Sequence, residues 1–232
     1  MGREQGFYER YVKRPVDIIC SLSAIICFSW LYIIIAVMVR VKIGPPVIFK
    51  QPRPGKGEKI FYLYKFRSMS EEVDWEGNLL PDSQRLGKFG KMLRATSLDE
   101  IPEVFNILKG DMSFVGPRPQ LVKDMVFMTD RQRRRHLDSP GLSGLAQVNG
   151  RNGISWEEKL DWDLKYIEKV TFLGDLKIIL ATVACAFVRR DGITMDGMDT
   201  ALDFGDYLLK EGKISQEEYD RKQEEAKELL RI

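Results

Sequence analysis

Two adjacent carboxylates, Asp99 and Glu100, stand in the stretch Arg94-Ala95-Thr96-Ser97-Leu98-Asp99-Glu100-Ile101-Pro102-Glu103. A carboxylate can attack phosphorus as a nucleophile, and an acidic pair can hold a hard cation. The same residues have a plainer use. Ser97-x-x-Glu100 matches a capping box, and acidic groups at a helix start are favoured by the helix dipole without any chemistry. Pro102 disfavours helical geometry at Ile101 and brings no N–H, so the regular helix is expected to begin near Pro102. Asp99 and Glu100 are then expected on a bend facing outward.

Cations that could clamp phosphate recur on predicted loops: Lys65 and Arg67, Arg94 before the acidic pair, Arg118 in Gly-Pro-Arg-Pro, and Arg151 in Asn-Gly-Arg-Asn. A guanidinium forks onto phosphate oxygens, and a proline-fixed loop holds such a donor at little entropic cost. Taken singly, each arginine is most simply a solvated surface group. Two competing chemistries also fit. Asp161-Trp162-Asp163 imitates the Asp-x-Asp metal motif of glycosyltransferases that release UDP, although helical residues two apart point about 200° from each other. Arg131, Arg133, Arg134 and Arg135 could instead bind anionic lipid and make the protein a membrane-surface scaffold.

Composition narrows the field. The chain has 232 residues, 36 basic and 34 acidic, for a net charge of +2. A polycation that coats nucleic acid is excluded, and no nucleic-acid partner is expected. His136 is the single histidine, and Cys20, Cys27 and Cys185 form no C-x-x-C pair. Disulfide scaffolds and multi-histidine metal sites therefore have no support, which leaves carboxylates and hard cations for the chemistry.

The elements that must position these groups begin with a charge-free run from Ile18 to Val39, about 22 residues, against the ~20 needed to cross a bilayer as helix. Basic residues flank both ends: Arg3, Arg10, Lys13 and Arg14 before, Arg40, Lys42, Lys50 and Arg53 after. Basic flanks stay cytoplasmic, so their symmetry fits a segment that dips into one leaflet and returns; a single straight span is the alternative. Ser29 could bond back to the carbonyl of Ile25 and bend the helix. Strands are expected at Val47–Phe49 and Ile60–Tyr64 around a Pro52–Gly57 turn, and helices at Lys88–Leu93, Glu103–Leu108, Val122–Leu137 and Trp156–Arg190. Ile178–Val188 is too short to span and suits an interface. Phe204–Ile232 reads as a helical hairpin around Gly212-Lys213-Ile214, with Ser215-x-x-Glu218 as a capping box.

Tyr64-Lys65-Phe66-Arg67-Ser68-Met69, Arg85-Leu86-Gly87-Lys88-Phe89-Gly90, Ser97-Leu98-Asp99-Glu100-Ile101-Pro102, Asn106 through Ser113, Val115-Gly116-Pro117-Arg118-Pro119 and Gly141 through Arg151 together resemble the small monotopic phosphoglycosyl transferases, the bacterial sugar transferase family. The resemblance covers roughly Tyr11 to Arg190. It implies a ping-pong reaction in which Asp99 attacks the β-phosphorus of a UDP-sugar and expels UMP, after which polyprenyl (undecaprenyl) phosphate takes the phosphosugar from the enzyme. It implies Mg²⁺ as cofactor, held by Asp99 and Glu100, and phosphate or nucleotide contacts from Lys65, Arg67, Arg94, Arg118, Gln147, Asn149 and Arg151. The family's re-entrant helix breaks at a Ser-Pro pair; here the pair is Ser29-Trp30, so the membrane break rests on Ser29 and the basic flanks.

The expected architecture is mainly α with a small β-hairpin (α+β). A re-entrant membrane helix hairpin over residues 1–42 precedes a compact cytoplasmic catalytic domain over 43–200 with amphipathic interfacial helices. A C-terminal helical hairpin over 201–232 follows, a candidate for homo-oligomerisation. The expected location is the cytoplasmic face of the bacterial inner membrane, with the lipid bilayer as a partner and glycoconjugate synthesis as the setting.

Overall fold

The computed structural model describes residues 4–150, 154–188 and 202–231. After a π-turn at Tyr8–Val12, the apolar run forms one helix, α1 (Lys13–Lys42). It is long and apolar enough to cross a membrane, and little of its apolar stretch is buried. Within the segment expected as a re-entrant hairpin, Lys13–Lys42 is assigned as one helix. Trp30 keeps the N–H that a proline would remove, so the helix runs on past Ser29. The Ser29 hydroxyl donates to the Ile26 carbonyl at 3.0 Å rather than to that of Ile25.

β1 (Ile48–Pro54) and β2 (Ile60–Phe66) form the expected hairpin, with longer strands and a tighter turn than the sequence suggested. Pro52 and Pro54 are tolerated because each strand of a two-stranded sheet is an edge. Next come α2 (Asp82–Arg85), α3 (Lys88–Ala95) and α4 (Glu103–Lys109), and Gly110 closes α4 at φ 97°. β3 (Ser113–Val115) follows.

The single helix expected over Val122–Leu137 is three pieces: α5 (Val122–Met125), α6 (Asp130–Arg133) and a 3-10 turn at Arg134–Leu137. Thr129 breaks it by taking an extended conformation and capping α6 reciprocally with Gln132. β4 (Gly141–Ser143) runs parallel to β3, pairing Ser113 with Gly141 and Val115 with Ser143. α7 (Leu145–Asn149) follows. The helix expected over Trp156–Arg190 is divided into α8 (Trp156–Glu168) and α9 (Phe172–Val188) by a non-helical Lys169 at φ −148°, and Arg190 lies outside the described residues. α10 (Phe204–Lys210) and α11 (Gln216–Leu230) form the C-terminal hairpin, with Ser215 accepting from the Glu218 N–H at 3.2 Å.

The chain divides into two units. One comprises Val16–Gln51 and Leu63–Lys109. Its core joins Ile35 and Val39 of α1 to Phe66 and Leu93, with Leu98 and Ile101 packed at its edge. The other comprises Met1–Pro15, Pro52–Tyr62 and Gly110–Ile232 and holds two apolar clusters. Val115, Leu164, Ile167 and Ile178 centre one. Val122, Val126, Phe127, Trp156, Leu160, Phe204 and Ala226 make the other, so the hairpin's apolar face is spent on this core. Trp156 and Phe204 meet with ring centroids 5.1 Å apart, and Phe127 stacks on Tyr219 at 5.7 Å.

Candidate active site

Asp99 and Glu100 lie on a 3-10 turn, Leu98–Glu100, entered through Ser97 in the left-handed region at φ 55°. Ser97 makes no side-chain cap, and α4 starts only at Glu103, as Pro102 requires. Leu98 and Ile101 anchor the turn in the apolar core on either side of the acidic pair. This anchoring draws Asp99 inward: it is 8% exposed, against the outward placement expected from sequence. Loss of water pushes the Asp99 pKa above the ordinary carboxylate range, and Glu100 adds to the rise. Lys65, Arg94 and the residue's own amide oppose it.

Lys65 on β2 donates to Glu100 Oε1 at 2.7 Å and lies 3.2 Å from Glu103 Oε1. Its strand is tied to α4 by the fully buried Asn106, whose Oδ1 accepts the Tyr64 N–H at 3.0 Å. Arg94, at the exposed end of α3, donates Nε to Ser68 Oγ at 2.9 Å and points Nη2 at Met69 Sδ. α3 sits so close to this strand end that a Cβ on Gly90 would lie 1.9 Å from the Ser68 carbonyl oxygen. Arg67 is buried, donating to the Pro45 carbonyl at 3.0 Å and to Glu71 Oε1 at 2.8 Å. Thus Lys65, Arg67, Arg94, Asp99 and Glu100 share one unit, and Lys65 and Arg94 are the cations whose fields reach Asp99.

Glu103, Asn106 and Ser68 were not singled out from sequence as part of the site. The i, i+3 spacing of Glu100 and Glu103 beside Pro102 was the signal for Glu103, since such residues share a face. Asn106 and Ser68 depend on tertiary contacts that no local pattern announces.

Arg118, Gln147 and Asn149 belong to the other unit. Arg118 sits in the loop after β3. Gln147 donates Nε2 to the Leu142 carbonyl at 3.2 Å, and its buried Oε1 has no hydrogen-bond partner among the described residues. Asn149 is exposed and bonds back to the Leu145 carbonyl of its own helix at 2.8 Å. Arg151 lies outside the described residues.

The competing motifs resolve differently. Asp161 is exposed and pairs with Arg131 at 2.9 Å, while Asp163 is buried against Arg135 at 2.6 Å, so the two face different surroundings and do not converge on one ion. Arg133 donates to Glu58 Oε1 at 2.7 Å. Arg133 and Arg135 are thus held in pairs with Glu58 and Asp163, whereas Arg131 pairs at the surface and Arg134 is exposed.

No cluster of three or more His, Cys, Asp or Glu side chains suited to a metal occurs among the described residues. Mg²⁺ is ordinarily bound by one or two carboxylates completed by substrate phosphates and water. Asp99 and Glu100 carry carboxylate oxygens of that hard type, one of which, Glu100 Oε1, is bound by Lys65.

The sequence model described as "Bacterial sugar transferase" matches residues 8–189. The chain is 46% identical over 190 residues to "Uncharacterized sugar transferase EpsL" of Bacillus subtilis, covering 82% of this chain and 94% of that one. It is 37% identical over 200 residues to the "Undecaprenyl-phosphate galactose phosphotransferase" of Salmonella typhimurium, covering 79% of this chain and 42% of the relative. To the "UDP-glucose:undecaprenyl-phosphate glucose-1-phosphate transferase" of Klebsiella pneumoniae it is 39% identical over 188 residues, 77% of this chain and 40% of the relative. It thus spans nearly all of the first and less than half the length of the other two. With the acidic turn, its flanking cations and a family match running through both units, the chain belongs to the bacterial sugar transferase family.

Proposed function

We propose that this protein transfers a sugar phosphate from a UDP-sugar to undecaprenyl phosphate, releasing UMP, with Asp99 as nucleophile. The observation that carries this reading is a carboxylate stripped of water, its proton affinity raised, beside Lys65 and Arg94 on a turn fixed by Leu98 and Ile101. A poorly hydrated carboxylate is a stronger nucleophile, and cations next to it lower the repulsion met by an anionic diphosphate.

In this reading an Asp99 oxygen forms a bond to the β-phosphorus. The bond from that phosphorus to the bridging oxygen breaks, and UMP leaves with the electron pair. A phosphate oxygen of the lipid acceptor then attacks the same phosphorus, and the aspartyl oxygen departs with its electrons, restoring the carboxylate. Glu100 and Asp99 would hold Mg²⁺, which when bound supplies charge neutralisation at the phosphoryl oxygens. Lys65 keeps Glu100 oriented, and Arg94, fixed through Ser68, offers its guanidinium to phosphate. Gln147, Asn149 and Arg151 enter as nucleotide contacts, and Arg118 as a diphosphate ligand, through the sequence resemblance.

We place both ends of α1 on the cytoplasmic face, since basic residues flank both; the return is then a bend in a continuous helix, to which the Ser29–Ile26 contact contributes. Exposed Phe172, Leu173 and Leu180 on α9 support a helix lying in the headgroup layer. Self-association through the C-terminal hairpin would use its charged outer face, the apolar one being buried.

The test uses full-length protein in nanodiscs with Mg²⁺, undecaprenyl phosphate and a panel of UDP-glucose, UDP-galactose and UDP-N-acetylgalactosamine. UMP release is expected with at least one donor and is lost in Asp99→Asn. Without acceptor, mass spectrometry is expected to find a sugar-phosphate adduct on the Asp99 peptide. UDP as product, or undiminished turnover in Asp99→Asn, rules the reading out.

A further inference from the structure

We propose that Arg135, locked by Asp163, is a positioning residue that sets the backbone of Arg118 so that its guanidinium meets the diphosphate of the donor; this rests on the assignment of Arg118 above. The loop Gly116-Pro117-Arg118-Pro119 has prolines at two of four positions, which have no N–H to donate, so it must be held largely through its carbonyl oxygens. Three of its carbonyl oxygens, and that of Val115 at the strand end before it, accept hydrogen bonds. Val115 O accepts from Lys13 Nζ at 2.8 Å and from the Tyr166 hydroxyl at 3.1 Å. Pro117 O accepts from the Gly141 N–H at 2.9 Å, and Pro119 O from Arg53 Nη1 at 2.9 Å. The carbonyl of Arg118 itself accepts from Arg135 Nη2 at 2.6 Å. Two arginines from separate parts of the chain thus grip this loop, and Lys13 grips the strand end that enters it.

Arg135 and Asp163 are 1% and 2% exposed, and Arg135 is among the largest fully buried side chains described. A buried ion pair is weak as a source of stability, because well-packed apolar residues of similar volume do as well or better. This pair even leaves Asp163 Oδ1 without a hydrogen-bond partner among the described residues. What it supplies is a donor fixed in place: Nε and Nη2 both bind Asp163 Oδ2, at 3.0 and 2.6 Å, while Nη2 also reaches Arg118 O. Its charge is cancelled within the pair, so its effect on bound phosphate comes through geometry rather than through its field. The planar fork of arginine permits this double grip, and lysine keeps the charge without the fork.

The experiment is a double-mutant cycle on full-length protein in nanodiscs, with UDP and Mg²⁺ as the probe, read by calorimetry for affinity and stoichiometry. Arg118→Ala is expected to weaken UDP binding about tenfold, as loss of a charge-assisted bond should. Arg135→Lys is expected to weaken it about fivefold at unchanged stoichiometry, and to add nothing once Arg118 is alanine. A purely structural role for Arg135 would lower the number of competent sites, or add its effect to that of Arg118→Ala, and either result overturns the proposal. Unchanged affinity in Arg118→Ala overturns the assignment of Arg118 and this inference with it. Should Arg135→Lys fail to fold, Arg135→Met/Asp163→Leu keeps the core filled and is read through the same cycle.

Discussion

Replacing Lys65 by Met removes an ammonium that lies 2.7 Å from Glu100 and 3.2 Å from Glu103. The same ammonium and Arg94 oppose the rise of the Asp99 pKa, so the variant takes positive charge away from all three carboxylates. Glu103 is 3% exposed, so water screens its contact with Lys65 little, whereas Lys65 and Glu100 are 16% and 18% exposed and are partly screened. Breaking a fully buried pair costs about 3–5 kcal/mol, and the partial exposure places this case near about 3 kcal/mol. For a chain of this size that corresponds to a melting temperature lower by roughly 6–12 °C. Adding Glu103→Gln removes the buried carboxylate charge that Lys65 faced and is expected to restore about half of the loss, whereas a lysine whose main task is to bind donor phosphate would gain nothing from that second change. Thermal melts in nanodiscs, run beside UMP release, decide the matter. A Lys65→Met protein that melts within about 2 °C of the native one, or a double variant no more stable than the single, refutes the reasoning.

Burial and the neighbouring Arg135 push the His136 pKa down to about 4, while burial pushes the Asp124 pKa up to about 6. The imidazole's contribution is present above about pH 6.5 and is lost as pH falls toward 4. That of Asp124 is present below about pH 4 and is lost as pH rises through 6, each amounting to about 3 kcal/mol. The two oppose each other, so the stability of Asp124→Asn relative to the native protein should fall by about 3 kcal/mol between pH 6.5 and 4; parallel denaturant titrations in which that difference stays flat would expose a mistake. Gly90→Ala drives a Cβ to 1.9 Å from the Ser68 carbonyl oxygen and 2.9 Å from Leu86 Cδ1, and is expected to cost about 3 kcal/mol and to free Arg94 from Ser68, detectable as a joint loss of stability and turnover. Phe204→Ala empties the contact with Trp156 and should cost about 3–5 kcal/mol, measured by chemical denaturation.

Elements with their own punctuation were legible in advance: α3 and α4, the hairpin of β1 and β2, and the two C-terminal helices, each bounded by Gly, Pro or a cap. β3 and β4 were not, being three residues each and formed only by parallel pairing across a long stretch of chain. The break at Thr129 was readable in principle, because Thr129 and Gln132 carry a capping-box spacing, but apolar residues on both sides mimicked one helix. At the site, residue types pointed to Asp99 and Glu100 and left their burial hidden. Proline placed them on a bend; the packing of Leu98 and Ile101, which decides how far inward the bend turns, is a tertiary event. Lys65 and Arg67 looked alike as loop cations, and only folding separates a lysine that orients Glu100 from an arginine spent on Pro45 and Glu71.

The family match ends at residue 189, yet Phe204 and Ala226 beyond it are as deeply buried as the residues they cover. Shortening the gene to the family boundary would therefore strip Phe127 and Trp156 of their lining and turn a dry surface into a sticky one. Such a product should precipitate or cling to chaperones, and its poor behaviour would say nothing about Asp99.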